Sequence, residues 1–168
     1  MQRNTRKKVL FIAYAAVIAA LYAALTLAVP FLSYGPLQFR FAEALTLLPV
    51  LTPAAIPGLA IGCFIANLGS PYGIADIIFG TLASLLAALC TYWLRKIQWK
   101  KLPLLSALMP ALFNGIIIGA MIAVMSEAGW VAFFTIGGQI ALAQLVICYA
   151  LGLPLMALLR KINIFKSH

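Results

Sequence analysis

Seven side chains in this sequence carry polar chemistry into apolar surroundings: Arg40, Glu43, Asn67, Asp76, Asn114, Gln139 and Gln144. Carboxylates accept hydrogen bonds, a guanidinium donates them and amides do both, so the set suits holding a polar solute by charge and hydrogen bonding. It is poor material for catalysis. The single histidine is the last residue, His168, and no nucleophile stands with a base at a recognisable spacing. Cys63, Cys90 and Cys148 are odd in number, far apart and embedded in apolar runs, which fits helix packing better than a disulfide framework or a metal site. No GxxxxGK[ST], HExxH or GxSxG motif occurs. A non-enzyme is expected, with no cofactor on the chain itself. If it moves a solute uphill, the energy comes from a partner or from an ion gradient.

The elements that must position these residues are membrane helices. Of 168 residues, 65% are apolar and 9% charged, against about half and about a quarter in a soluble domain, and the mean hydropathy is +1.08. A net charge of +9 would ordinarily suggest a nucleic-acid partner. Here the basic residues form short clusters between long apolar runs, the pattern of membrane topology signals, so no nucleic acid is expected. Segments 9–29, 74–94, 102–125 and 131–159 each meet the roughly 20 apolar residues needed to span a bilayer. The first exceeds a secretory h-region of about 7 to 15 residues and is read as a retained helix.

The helix count turns on 41–68. Pro49, Pro53 and Pro57 recur every fourth residue there, and each removes a backbone donor and disfavours helix in the residue before it. A hairpin of two short helices, 41–51 and 55–68, is therefore expected instead of one long crossing. Charge parity agrees. With the hairpin, Arg3, Arg6, Lys7, Lys8, Arg95, Lys96, Lys100, Lys101, Arg160, Lys161 and Lys166 all fall on the cytoplasmic side, and of the 12 basic residues only Arg40 falls outside. The expected fold is an all-α membrane protein forming one integral domain over 1–168, with six transmembrane helices and both termini cytoplasmic.

That topology puts every acid outward: Glu43 opens the second helix, Asp76 opens the fourth, and Glu127 lies in the loop after the fifth, where it reads as solvated. Arg40, Asn67, Asn114, Gln139 and Gln144 join them in the outer half. Polar groups in a membrane are costly unless paired or lining a cavity, so this confinement points to an outward-facing solute site. Plainer readings are an Arg40–Glu43 pair three residues apart on one helix, a capping role for Asp76, and interhelical amide bonds. The segment 30–40, with Phe31, Tyr34, Phe39 and a Gly35–Pro36 turn, either covers the site or anchors at the membrane interface. In the first helix, Ala15, Ala19 and Ala23 form one small-residue stripe and Ala16, Ala20 and Ala24 another. Such stripes serve internal packing or docking of another membrane protein. Gly80, Ser84 and Ala88 read as internal packing. The functions left open are a binding subunit of an uptake complex and a self-sufficient ion-coupled carrier using Asp76 or Glu43 as its proton site.

The stretch SYGPLQFRFAEALTLLPVLTPAAIPGLAIGCFIANL, followed by DIIFGTLASLLAAL and CYALGLPL, resembles the QueT family, substrate-binding S components of energy-coupling-factor (ECF) transporters associated with queuosine precursors. The likeness runs over nearly the whole chain. It implies an S-component-like bundle in the plasma membrane of a bacterium, in contact with lipid, and outward capture of a small-molecule substrate. It also implies partners: a scaffold transmembrane subunit, met by Ala15, Ala19 and Ala23, and two ATPase subunits that use ATP. A deazaguanine offers ring and exocyclic N–H donors and a carbonyl, which Glu43 or Asp76 and the amides would meet, with Arg40 positioning Glu43 or the loop.

Overall fold

A computed structural model of the chain describes residues 2–35, 38–127, 129–162 and 164. The Gly35–Pro36 turn, Lys166 and His168 fall wholly or partly outside the described residues. Within them the ordered elements are helices. Helix α1, Gln2–Ala28, starts at Gln2 instead of Val9 because Arg, Lys and Gln are good helix formers and prolong it beyond the apolar run. It ends before Pro30, which disfavours helical geometry at Val29 (φ −133°). Pro30 then opens a single turn, α2, Pro30–Ser33.

The stretch 41–68 is divided as expected, but its first half is a 3₁₀ helix, Phe41–Val50. At three residues per turn, side chains three apart eclipse one another. Glu43 and Thr46 thus share one face, Ala44 and Leu47 a second, and Ala42, Leu45 and Leu48 a third. The third face packs against Ile18 and Tyr22 of α1 and against Leu59 and Cys63. On the second, Leu47 packs against Ala107, Cys148 and Leu153. The remaining face is polar and equally buried. A turn follows, in which Thr52 Oγ1 accepts from the Ala54 N–H at 3.3 Å, and α3 runs Ala55–Asn67. Pro57 lies in its first turn, where a backbone N–H has no intrahelical acceptor anyway.

Helix α4 is Ile74–Trp93 and α5 is Leu104–Met125. Pro110, inside α5, cannot donate to the Ser106 carbonyl one turn earlier. Thr91 of α4 takes that acceptor, its hydroxyl donating to Ser106 O at 3.2 Å. The last span is continuous from Gly129 to Lys161: α6 (Gly129–Ile147), a π-helical segment (Cys148–Gly152) and α7 (Leu153–Lys161). Pro154 lacks the N–H that an α-helix would direct at Ala150, and the ladder widens just before it. Four spans, Asn4–Ala28, Ile74–Lys96, Leu104–Met125 and Gly129–Lys161, are long and apolar enough to cross a membrane, with the two shorter helices between the first and second.

The bundle is small inside and large outside. Alanines dominate the buried set, while Val9, Ile12, Val17, Ile78, Phe134 and Leu142 are exposed. Lipid is as apolar as leucine, so close approach through small residues supplies the packing. Gly62 shows this: a Cβ there would stand 2.8 Å from both the Ala19 carbonyl oxygen and Tyr22 Cβ. Gly58 faces Ala15 in the same way, its Cβ position 2.7 Å from the Ala15 carbonyl. The stripe expected to dock a partner is therefore used at home. Ala15, Ala19 and Ala23 are buried, and Ala15 and Ala19 lie against α3. The exposed stripe is Ala16, Ala20 and Ala24. At the basic end, Arg160 Nη1 donates to Gln98 Oε1 at 3.1 Å and to the Lys101 carbonyl at 2.5 Å, tying α7 to the α4–α5 connection.

Candidate functional site

Helix connectivity brings the C-terminal turns of α1 and α3, the start of the 3₁₀ helix and the first turn of α4 to one end of the bundle, away from the basic connection at 95–101. Arg40, Glu43, Asn67, Asp76 and Gln144 all turn inward, with relative exposures of 3%, 1%, 0%, 0% and 2%. Arg40, Glu43 and Asp76 are the charged residues among the described buried ones.

The pairing differs from the one that sequence spacing suggests. Arg40 precedes the 3₁₀ helix in extended backbone (φ −99°, ψ 108°), so it does not reach Glu43 across a helical turn. Its Nη2 instead meets Asp76 Oδ2 at 3.2 Å, and its Nε donates to the Ser33 carbonyl at 3.1 Å. Asp76 points into the bundle and caps nothing; Ser70 Oγ donates to the same oxygen at 2.6 Å. Asn67 Nδ2 donates to the Asp76 carbonyl at 2.8 Å and lies 3.4 Å from Cys63 Sγ. Glu43 belongs to a second group: Tyr22 OH donates to its Oε1 at 2.6 Å, and Gln144 faces the same carboxyl. Thr46 Oγ1 donates to the Glu43 carbonyl at 2.5 Å.

Several buried polar atoms have no protein partner: Glu43 Oε2, Asn67 Oδ1, Asp76 Oδ1, Gln144 Oε1, Gln38 Nε2 and Asn114 Nδ2, with the hydroxyls of Thr81 and Ser84. A buried unpaired polar group costs about 1–3 kcal/mol, so a concentration of them in one bundle is the mark of groups meant for something else. Four of these atoms are acceptors on residues expected from sequence. Asn114 is buried in α5 as expected, but no described hydrogen bond joins it to the cluster. Gln139 is exposed and does not belong. Five residues at about 100° each place it some 140° from Gln144 around the helix, so the two cannot share an inward face.

Sequence reasoning missed Tyr22, Gln38 and Ser70, whereas Gly80 was read as internal packing and does pack closely. Gln38 is buried with φ 44°, a left-handed value unusual for a residue with a side chain. Gly80 is required by close approach, since a Cβ there would strike Asn67 Nδ2 and stand 3.1 Å from Asp76 Oδ1. The described part of the segment before Arg40 packs onto the cluster. Tyr34 OH donates to the Ala66 carbonyl at the end of α3, and its ring lies 5.4 Å from the Arg40 guanidinium carbon. Burial, ahead of the attraction of Arg40, pushes the Tyr34 phenol above its ordinary pKa, keeping it a donor. Phe31, three residues earlier, is 76% exposed.

A membrane protein of helices whose polar groups converge in a buried cluster has the construction of a solute-handling protein. The chain belongs to the QueT transporter family, whose model matches residues 12–161. It is 39% identical over 72 residues to a protein of Lactococcus lactis subsp. cremoris (strain MG1363) named queuosine precursor transporter QueT; the match covers 42% of this chain and 42% of that relative. No solved structure matches the chain.

Proposed function

We propose that this chain is the substrate-binding membrane subunit of an ECF-type uptake transporter, capturing a deazaguanine queuosine precursor from outside the cell. The observation that carries the reading is the set of unpartnered buried acceptors, Glu43 Oε2, Asn67 Oδ1, Asp76 Oδ1 and Gln144 Oε1, with Gln38 Nε2 an unpartnered buried donor. A deazaguanine is the complement: a planar base with several N–H donors and a carbonyl acceptor. Family membership agrees with that solute class.

The accompanying topology is six crossings with both ends cytoplasmic in a bacterial plasma membrane. Four long spans and a broken pair make an even number, and the basic clusters then share the cytoplasmic side. A ten-residue 3₁₀ helix and a 13-residue α-helix each reach about 20 Å, short of the roughly 30 Å hydrocarbon core. Their connecting turn would lie at membrane depth, which irregular backbone tolerates only when buried in protein and internally bonded. Thr52 is buried, and its bond to the Ala54 N–H fits that requirement.

Energy would come from a scaffold subunit and two ATPases, the ATP being used by those partners. With Ala15 and Ala19 covered by α3, the surface for the scaffold is Ala16, Ala20 and Ala24. Proteoliposome uptake tests the assignment. Accumulation should require the scaffold and ATPase subunits together with ATP, and Ala20→Leu should reduce it while leaving solute binding intact. Accumulation by the chain alone under a proton gradient would overturn the assignment in favour of an ion-coupled carrier.

A further inference from the structure

We propose that the turn joining α4 to α5 is a binding site for the headgroup phosphate of an anionic phospholipid, received by Lys100 and Lys101. The turn lies at the end of the bundle away from the solute cluster, so the inference stands apart from the solute assignment. Between the span that ends at Lys96 and the start of α5 at Leu104, Trp99 and Leu102 exchange both backbone hydrogen bonds, at 2.9 and 2.8 Å. They close a hairpin whose two central residues are left-handed, Lys100 at φ 48° and Lys101 at φ 66°. Asn-Gly suits such a turn, whereas a long side chain on each residue is disfavoured there by the clash of Cβ with backbone. Two lysines are thus held in a conformation that works against stability, and strain of this kind collects where a segment has a function.

Membrane topology does not require them at the tip. Positive charge anywhere near the span ends serves that purpose, and Arg95, Lys96, Arg160 and Lys161 already mark this end. The turn adds fixed placement. Arg160 donates to Gln98 Oε1 and to the Lys101 carbonyl, holding the turn against α7. Both lysines are exposed, and Lys100 Nζ stands 5.1 Å from the centre of the Trp99 ring. That ring is itself 66% exposed, as an aromatic side chain at headgroup level is. No acid of the chain can neutralise the two ammonium groups. Glu43 and Asp76 lie in the buried cluster, and Glu127 follows the opposite end of α5. The counter-charge therefore comes from outside the chain. So short a connection between two spans stays at the membrane surface, where the available anion is a lipid phosphate, and adjacent ammonium groups offer it charge and N–H donors together.

Native mass spectrometry of the full chain in detergent micelles, titrated with phosphatidylglycerol or with phosphatidylcholine of the same acyl chains, tests the site. The wild-type chain should bind phosphatidylglycerol in preference. Lys100→Asn with Lys101→Gly should weaken that binding about 30-fold and leave phosphatidylcholine unchanged. The same variant should melt at a higher temperature in phosphatidylcholine, because the turn is relaxed. Lys7→Gln with Lys8→Gln, which removes equal charge from α1, should weaken phosphatidylglycerol by less than about threefold. Glycerol phosphate should not displace the lipid. Equal binding of the two lipids by the wild-type chain, equal losses in the two double variants, or a turn variant that binds phosphatidylglycerol as the wild type does would each overturn the proposal. So would a lower melting temperature for the turn variant, or displacement by glycerol phosphate, which would mark a site for free phosphate esters instead.

Discussion

Gly80→Ala is the substitution that best separates a packing glycine from one that shapes a binding site. The added methyl would land on Asn67 Nδ2 and 3.1 Å from Asp76 Oδ1, so Asn67 has to give way. It loses the 2.8 Å bond to the Asp76 carbonyl, worth about 1 kcal/mol, and overpacking a tight contact costs about 1–3 kcal/mol more. The better helix propensity of alanine returns up to about 1 kcal/mol, leaving a net destabilisation of about 1–3 kcal/mol. Binding should suffer separately, because Asn67 Oδ1 and Asp76 Oδ1 move out of register with the solute. Two weakened hydrogen bonds of about 1 kcal/mol each correspond to a roughly 30-fold loss of affinity. The assay is calorimetric titration of the purified chain with a deazaguanine, alongside its thermal melt. Gly138→Ala is the control, since nothing lies within 4 Å of a Cβ there. If Gly80→Ala binds as tightly as Gly138→Ala, the placement of Asn67 and Asp76 at the solute is wrong.

Three further outcomes follow from particular contacts. Arg40→Met strands Asp76 as a buried, unpaired charge and should lower stability by about 3–5 kcal/mol, whereas Arg40→Met with Asp76→Leu should recover most of it and still fail to bind solute; thermal unfolding in lipid–detergent micelles measures both. Gln38→Gly relaxes a left-handed residue by about 1 kcal/mol and removes the unpartnered Nε2, so the melting temperature should rise while titration shows several-fold weaker binding. Thr91→Val removes the hydroxyl that serves Ser106 O and should cost about 1 kcal/mol. In a Pro110→Ala background the restored backbone donor takes over that carbonyl, so a double-mutant cycle on melting should show the Thr91 effect shrink toward zero.

Much of the scaffold was legible because membrane spans announce themselves by length and apolarity, and because Pro49, Pro53 and Pro57 mark a break that charge parity supports independently. The 3₁₀ form of 41–50 was not legible. All three of its faces are buried, so no hydrophobic contrast reveals a period of three. The two alanine stripes could not be told apart for an angular reason: they lie about 100° apart on α1 with identical composition, and only the glycines of α3 show which one packs internally. Arg40 and Asp76 are 36 residues apart, beyond any local spacing rule, so the nearer acid, Glu43, looked like the partner. Tyr22 was hidden within an alanine run, where an aromatic residue reads as packing. The polar types that gather in the cluster were visible at once; which of them pair with each other, and which are left over, depends on tertiary packing.

The central claim is that this buried cluster is a solute site, and equilibrium binding of 7-aminomethyl-7-deazaguanine to the purified chain, in wild-type form and carrying Glu43→Gln with Asp76→Asn, tests it most directly. Saturable binding of one molecule per wild-type chain, lost in a double variant that still melts cooperatively, is the expected result. Equal binding by both proteins would contradict it.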